Sequence, residues 1–494
     1  MKNFLFLLLV IISQQTLQAQ KTKIVQLEVD EFEKPLGLDK PNPNFSWVIK
    51  SNEYNLQQSH YQIFVATDKV FSKKSMGWDS GKIASDESVY SSYKGKPLTY
   101  DTRYYWTVKV WHNHSSRPLQ SQISSWTTGL MKTEGWDSRW ISVKEEDNSK
   151  VNSKSPYFKN EFEVSKKVKT AHLYITSKGM YEAFINGQRV GDLYLTPGWT
   201  SYDNRIQYQA YDVTPMIGTQ NALGVVIGKG WYHGIFMGNG RNNDNYKGDR
   251  YSFISALVLT YEDGTKESIL QDDQWNYFHG AILDAEIYDG ERYNANLLDP
   301  NWSVFGVACE GVKPATFDSY EGQLISTSNE MIKKHEIFKP KELIITPSGD
   351  KLIDFGQNLV GWVEFTTEGK KGETVSLQHA EILFENEFYT ENLRGASQLN
   401  TYVLNGDPKH VYRPHFTFQG FRYVKIEGME ELDLDKISAV ALYSSIKKSG
   451  SFTTDNPLIN QLQSNIEWGQ KGNFLDVPTD CPQRDERLGW TGDA

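Results

Sequence analysis

No stretch of helical periodicity occurs in this chain before residue 455. Short runs of apolar, β-branched and aromatic residues alternate there with polar ones, bounded by clusters rich in Gly, Pro, Asn, Asp and Ser. A period of two sends successive side chains to opposite faces of an extended strand, so these residues fold into half-buried antiparallel sheets. With 494 residues, 38% of them hydrophobic and 13% aromatic, the chain can bury several cores. At about 150 residues per domain, three or more domains are expected.

The turn clusters divide the strands into blocks. In the first, residues 20–131, "FSWVI", "YQIFVAT" and "RYYWTVKVW" have the pattern of a small immunoglobulin- or fibronectin-like sandwich. Trp47, Trp106, Trp111 and Trp126 are expected in its core. The second block, residues 132–322, contains "HLYITSKGMYEAFINGQRVGD", in which Asn186-Gly187 suits a hairpin turn of type I′. Its other strands, in "NALGVVIGKGW" and "YSFISALVLTYEDG", also predict a β-sandwich. The loop "WYHGIFMGNGRNNDNYKGDR" between them lacks the Asp spacing and terminal Glu of a calcium loop. It is read as solvated, and no metal site is assigned. A third β-domain follows in residues 323–445, with "KLIDFGQNLVGWVEFTT", "ETVSLQHAEIL" and "YRPHFTFQGFRYVKIEG".

The period then changes. In "DNPLINQLQSNIEWGQKG", Leu458, Ile459, Leu462 and Ile466 recur at helical spacing, with Asn456 as N-cap, Pro457 at the first helical position, and Gly469 and Gly472 offering a stop. A helical domain begins at about residue 446. Fewer than about 70 residues make no independent core without a staple.

The 52 Lys and Arg against 62 Asp and Glu give a net charge of −10 without long blocks of one sign. Such a surface repels phosphate backbones, so nucleic acid is not an expected partner. The amino terminus, "MKNFLFLLLVIISQQTLQAQ", has the lysine, short apolar run and small residue of a secretory signal cleaved after Ala19. Export to the periplasm or the exterior is expected, with no transmembrane segment after cleavage, because the apolar run is too short for a stable anchor. Cys309 and Cys481 could pair in an oxidising compartment, but far apart in sequence they are read rather as two lone thiols in different domains.

The stretch "DCPQRDERLGWTGDA" packs three aspartates, a glutamate, two arginines and a tryptophan into fifteen residues. A solvated turn with local ion pairs is the plain reading of such a cluster. Against it stand Pro478 and Pro482, which fix the backbone on either side, Gly489 and Gly492, which permit tight turns, and Trp490, whose indole suits the C–H face of a sugar ring. Clustered carboxyls serve glycoside hydrolysis, in which a protonated acid donates to the leaving oxygen while an ionised one works on the opposite face of the ring. Asp480, Asp485 and Asp493 are placed to raise the pKa of Glu486. Of Arg484 and Arg487, at least one has to point at a substrate hydroxyl or another aspartate, since both on Glu486 would lower it.

"DVPTDCPQRDERLGWTGDA" resembles the signature of bacterial α-L-rhamnosidases of glycoside hydrolase family 78. "LIDFGQNLVGWVEF", "HAEIL", "ENLRGASQLNTYVLNG" and "FTFQGFRYVKIEG" resemble that family's concanavalin-like domain. "YEAFINGQRVGD", "LTPGWTSYDNRIQYQAYDVT" and "DAEIYDGERYNA" resemble its N-terminal sandwich. The resemblance implies a multidomain, mainly β chain: three β-sandwich domains, then the start of an (α/α)6 barrel over 446–494. It implies inverting hydrolysis of terminal, non-reducing α-L-rhamnosyl residues, with a rhamnoside as the partner molecule and no cofactor. Glu486 would be the general acid, Asp480, Arg484 and Asp493 would hold ring hydroxyls or support the acid, and Trp490 would line the pocket. The family's general base is a glutamate much further along the barrel, so residues 1–494 are expected to be a truncated piece that is inactive alone. Two other readings are a non-catalytic carbohydrate-binding array and a six-hairpin glycosidase for another sugar.

Overall fold

The computed structural model describes residues 22–131, 136, 138–148, 154–234, 250–297 and 299–485. The amino-terminal leader, the loop 235–249 and three of the candidate site residues (Glu486, Trp490 and Asp493) lie outside the described residues. The chain is mainly β and divides into two compact units, 1–131 and 132–494.

In the first unit a three-stranded sheet (Lys23–Val29, Asn44–Lys50, Ser91–Ser92) accompanies a seven-stranded one. The latter runs in the order Leu36–Leu38, Ser124–Thr128, Arg103–His112, Gln58–Ala66, Met76–Asp79, with two short strands off that path. Its core is aromatic: Phe45 lies 4.7 Å from Trp106 and 5.4 Å from Trp126 between ring centroids. Buried Trp47 donates its indole N–H to Gln58 Oε1 at 3.0 Å. The fourth expected core tryptophan is not there. Trp106 and Trp111 share the strand Arg103–His112 but stand five residues apart, an odd separation that puts them on opposite faces. Trp106 faces inward, whereas Trp111 is half-exposed and carries the Lys82 ammonium 4.6 Å from its centroid.

The second unit begins with a sandwich. One sheet holds Trp140–Ser142, Ser252–Tyr261, Val168–Lys178 and Arg205–Asp212, and the other Met180–Ile185, Gln220–Gly228, Pro156–Glu163 and Asn276–His279. Phe158, Leu173, Tyr181, Val225, Phe253 and Tyr277 pack between them. The expected hairpin is present: Ile185 pairs with Gln188, and Asn186 (φ 51°) and Gly187 (φ 81°) both take the positive φ of a type I′ turn.

A nine-stranded sheet follows, centred on the long strand Lys351–Phe365, which pairs with Gln419–Glu427 along its first part and with Ile437–Ser444 along its second. Its composition crosses residue 322, where the sequence blocks divide. The hairpin Ile282–Glu286 and Gly290–Asn294 joins this sheet by pairing parallel with Leu399–Val403, while Gln323–Ser326 pairs with Arg205–Asp212 of the sandwich. The hairpin is held there by Glu291, which is completely buried; its carboxylate accepts from His415 N and from the His415 ring, each at 2.8 Å. A second buried carboxylate, Glu182 of the sandwich, is gripped by Arg189 at 3.3 Å and by Arg413 of the nine-stranded sheet domain at 3.2 Å. Burial alone would raise the pKa of Glu182, but the two guanidiniums hold it at about 2.

The helix spans Pro457–Asn473, and Asn456 caps it by accepting from Leu458 N at 2.9 Å. It continues through Gly469 and Gly472, because contacts with the sheet outweigh a glycine cost of about 1 kcal/mol each. Trp468 packs edge-on against Phe338, and Lys471 pairs with Glu336 at 2.7 Å while lying over the Trp468 ring. The apolar stripe read in the sequence faces the other way: Leu458, Leu462 and Ile466 are 78%, 57% and 56% exposed.

Candidate active site

After the helix the chain forms a two-stranded turn, Phe474–Leu475 against Val477–Pro478, and Thr479 N donates back to Asn473 O at 2.8 Å. Asp476 and Asp480 both adopt positive φ, 68° and 59°. Aspartate tolerates that region better than most residues, because its short polar side chain can bond locally. The loop that follows lies on the nine-stranded sheet. The Gln398 side-chain amide donates to Gln483 O, and Gly420 admits the backbone of Gln483 so closely that a Cβ there would meet Gln483 N at 3.1 Å.

Two of the five residues singled out in the sequence are described, and they lie together: Arg484 Nη2 is 3.8 Å from Asp480 Oδ2. One arginine of the cluster thus points at an aspartate, as the sequence required of at least one. The Cys481 thiol donates to the same Asp480 oxygen at 3.0 Å, and neither cysteine is in a disulfide. Asp485 is 3% exposed, and neither of its carboxylate oxygens has a hydrogen-bond partner among the described residues.

Sequence reasoning missed two further carboxyls. Glu381, in "HAEIL", is pushed up to about 7 by burial, against the pull of Arg484, and accepts from Asn358 Nδ2 at 3.3 Å. Asp476, in "FLDVP", is pushed up to about 7 by burial although Trp199 N and the Asn329 amide both donate to it. Each stands alone among apolar neighbours in a strand-like run, and that is the signal that could have exposed them. Glu381 lines a cleft, which makes a carboxyl whose pKa is raised there a candidate for function.

The cleft measures about 360 Å³ and lies between the helix and the sheet. Its wall includes Asn358, Glu381, Gln461, Asn465, Trp468 and Pro482, so the loop contributes one edge and the rest mixes amide, carboxyl and apolar side chains. A larger depression of about 770 Å³ lies elsewhere on the nine-stranded sheet domain, lined by Lys351, Glu368, Lys370, Glu373 and Lys436 with no aromatic side chain. The smaller cleft is the better candidate because it adjoins the carboxyl cluster. Among the described residues no group of three or more His, Cys, Asp or Glu side chains is arranged to hold a metal ion.

Four family models match the chain in series. These are the Rha78A-like N-terminal immunoglobulin domain over 24–132, the α-L-rhamnosidase N-terminal domain over 166–336, the bacterial α-L-rhamnosidase concanavalin-like domain over 344–443, and the bacterial α-L-rhamnosidase six-hairpin glycosidase domain over 447–494. An α-L-rhamnosidase of Formosa agariphila is 34% identical over 518 aligned residues, covering 100% of this chain and 55% of that protein. The solved α-L-rhamnosidase of Dictyoglumus thermophilum superposes with a TM-score of 0.88 at 32% identity, covering 96% of this chain and 54% of that one. For the Streptomyces avermitilis α-L-rhamnosidase complexed with L-rhamnose the values are 0.87 and 28%, covering 95% of this chain and 62% of that one. The chain spans about half the length of the curated relatives it matches. With a matching domain at every stage from immunoglobulin sandwich to helical start, the chain belongs to the bacterial α-L-rhamnosidases of glycoside hydrolase family 78.

Proposed function

We propose that these residues form the amino-terminal part of an exported glycoside hydrolase that releases terminal, non-reducing α-L-rhamnose from rhamnosides with inversion. The observation that carries this reading is the docked loop. Arg484 lies by two carboxyls, Asp480 and Glu381, at one end of the cleft between helix and sheet, and the next positions in the sequence are Asp485 and Glu486. Glu486 is the proton donor to the leaving oxygen, a role that needs a carboxyl still protonated near neutral pH. Asp480, Arg484 and Asp493 hold ring hydroxyls or support the acid, and Trp490 lies against the deoxysugar. The names of the relatives, all α-L-rhamnosidases, support the choice of sugar.

Inversion needs a second carboxyl about 6.5–9.5 Å from the acid, with a water between them. In this reading that base comes from a more distal part of the barrel, and residues 1–494 alone release no rhamnose. The exposed apolar stripe of the helix supports a barrel built onto that face. Export rests on the amino-terminal leader. The test is proton NMR of the first product that the complete protein forms from an aryl α-L-rhamnoside. The β-anomer of rhamnose is expected. The α-anomer as first product overturns inversion, no release overturns the substrate, and release by 1–494 alone overturns the distal base.

A further inference from the structure

The motif "LTPGWTSYDN" belongs to the amino-terminal sandwich, far in sequence from the acid-bearing loop, yet its backbone meets that loop at one side chain. Trp199 N donates to Asp476 Oδ2 at 2.6 Å, and the Asn329 side-chain amide donates to Asp476 Oδ1. On the sheet side, Asp476 N donates to Ser444 Oγ at 2.8 Å. Asp476 therefore joins three segments: the 196–199 loop of the sandwich, the segment after Gln323–Ser326, and the end of the strand Ile437–Ser444.

The fit allows little movement. Gly198 has φ +94°, and a Cβ built on it falls 2.5 Å from Asp476 Oδ2 and 2.7 Å from Oδ1. Only glycine both adopts that backbone and leaves room for the carboxyl. Asn329 suits either protonation state of its partner. Its N–H meets a carboxylate, and its buried Oδ1, which has no partner among the described residues, can accept from a carboxylic acid once the amide is turned over. Downstream, Asp480 is four residues from Asp476 and pairs with Arg484. With the contacts at Thr479 and Gln483 left to hold the loop, loss of the Asp476 anchor loosens Asp480 and Arg484.

We propose that Asp476 is a positioning residue, the latch through which the amino-terminal sandwich holds the acid-bearing loop in place over the cleft. The role in the reaction rests on the glycosidase reading above; the latch itself does not. The sandwich thereby becomes part of the catalytic apparatus rather than an accessory domain.

The test uses Asp476→Ala, Gly198→Ala and Asp476→Asn. Alanine at 476 leaves the Trp199 N–H and the Asn329 amide unmatched, and alanine at 198 expels the carboxyl. Asparagine keeps an acceptor for Trp199 and offers an N–H to Asn329 Oδ1. The first readout is the rate at which a disulfide reagent labels Cys481, five residues beyond the latch, with Cys309 in the sandwich as internal control. Asp476→Ala and Gly198→Ala are expected to speed Cys481 about fivefold or more, with Cys309 changed less than about twofold and Asp476→Asn near wild type. An unchanged Cys481 rate, or both thiols rising together, overturns the latch. The second readout, in the complete protein, is the ratio of kcat/KM for an alkyl rhamnoside to that for a 4-nitrophenyl rhamnoside. Misplacing the acid lowers this ratio about tenfold or more, whereas loss of folded protein lowers both substrates equally. A ratio unchanged in Asp476→Ala overturns the positioning role. A complete protein that releases no rhamnose overturns the glycosidase reading, and the thiol rates, which need no turnover, decide the latch in either case.

Discussion

Replacing Glu182 by Gln removes the charge that holds the sandwich to the nine-stranded sheet domain, and its cost follows from the geometry. The carboxylate side chain is 3% exposed and lies within 3.3 Å of two guanidiniums, Arg189 from its own sheet and Arg413 from across the interface. Its pKa of about 2 stands against an ordinary 4.5. A gap of about 2.5 pH units at about 1.4 kcal/mol each is worth about 3 kcal/mol at neutral pH, in the range found when one partner of a buried ion pair is removed. Because the folded pKa is depressed, this stability is fully present above about pH 4.5 and is lost as the pH falls through about 2. At pH 3 the native carboxylate is still mostly ionised while the unfolded one is mostly protonated, so about 1 kcal/mol of the contribution remains. Urea unfolding of wild type and Glu182→Gln, followed by tryptophan fluorescence at pH 7 and pH 3, measures both differences. The variant is expected to be about 3 kcal/mol less stable at pH 7, with the gap narrowing by about 2 kcal/mol at pH 3. A gap below about 1 kcal/mol at pH 7, or one independent of pH, refutes the reasoning, because a surface-like pair gives the first and a purely steric effect the second.

Glu381 has the opposite sign. Its folded pKa of about 7 is raised above 4.5, so the stability it contributes is present at acid pH and is lost as the pH rises from about 4.5 through about 7. The urea midpoint of Glu381→Gln should therefore decline less than that of wild type between pH 5 and pH 8, and equal declines count against a buried carboxyl. In the first unit, Trp106→Ala should cost about 3–5 kcal/mol by opening a core cavity. Trp111→Ala should cost about 1 kcal/mol or less, the loss of one cation–π contact at a half-exposed site. Thermal unfolding separates the two, and similar costs would place Trp111 in the core after all.

The elements most legible in the sequence were those whose signal is local. Asn186-Gly187 specified its turn because the two residues best able to adopt positive φ stood between alternating runs. Asn456-Pro457 specified the helix start through its cap. Where contacts come from far away, the local pattern was silent or misleading. Trp111 was counted as core by type, although its odd spacing from Trp106 already placed it on the other face. The helix presents Trp468, Lys471 and Gly472 to the sheet rather than its leucines, because a tryptophan ring and a lysine stem cover apolar surface as well as an aliphatic stripe does. The hairpin at 282–294 carries no mark of the sheet it joins, since that choice is made by His415, more than a hundred residues on. The proximity of Asp480 and Arg484 was legible because the two stand four residues apart in one charged cluster. Glu381 and Asp476 were hidden, because what they meet lies far off in sequence: Arg484 for the first, Trp199 and Asn329 for the second.

In the proposed reaction Glu486 protonates the leaving oxygen. Glu486→Gln in the complete protein, assayed on an alkyl α-L-rhamnoside and on 4-nitrophenyl α-L-rhamnoside, tests it most directly. An amide cannot supply the proton, and a positioned acid contributes about 10²–10⁴-fold. A loss of that size is expected on the alkyl rhamnoside, with a much smaller loss on the nitrophenyl one, whose leaving group departs without protonation. Unimpaired hydrolysis of the alkyl rhamnoside, or equal losses on both, would contradict it.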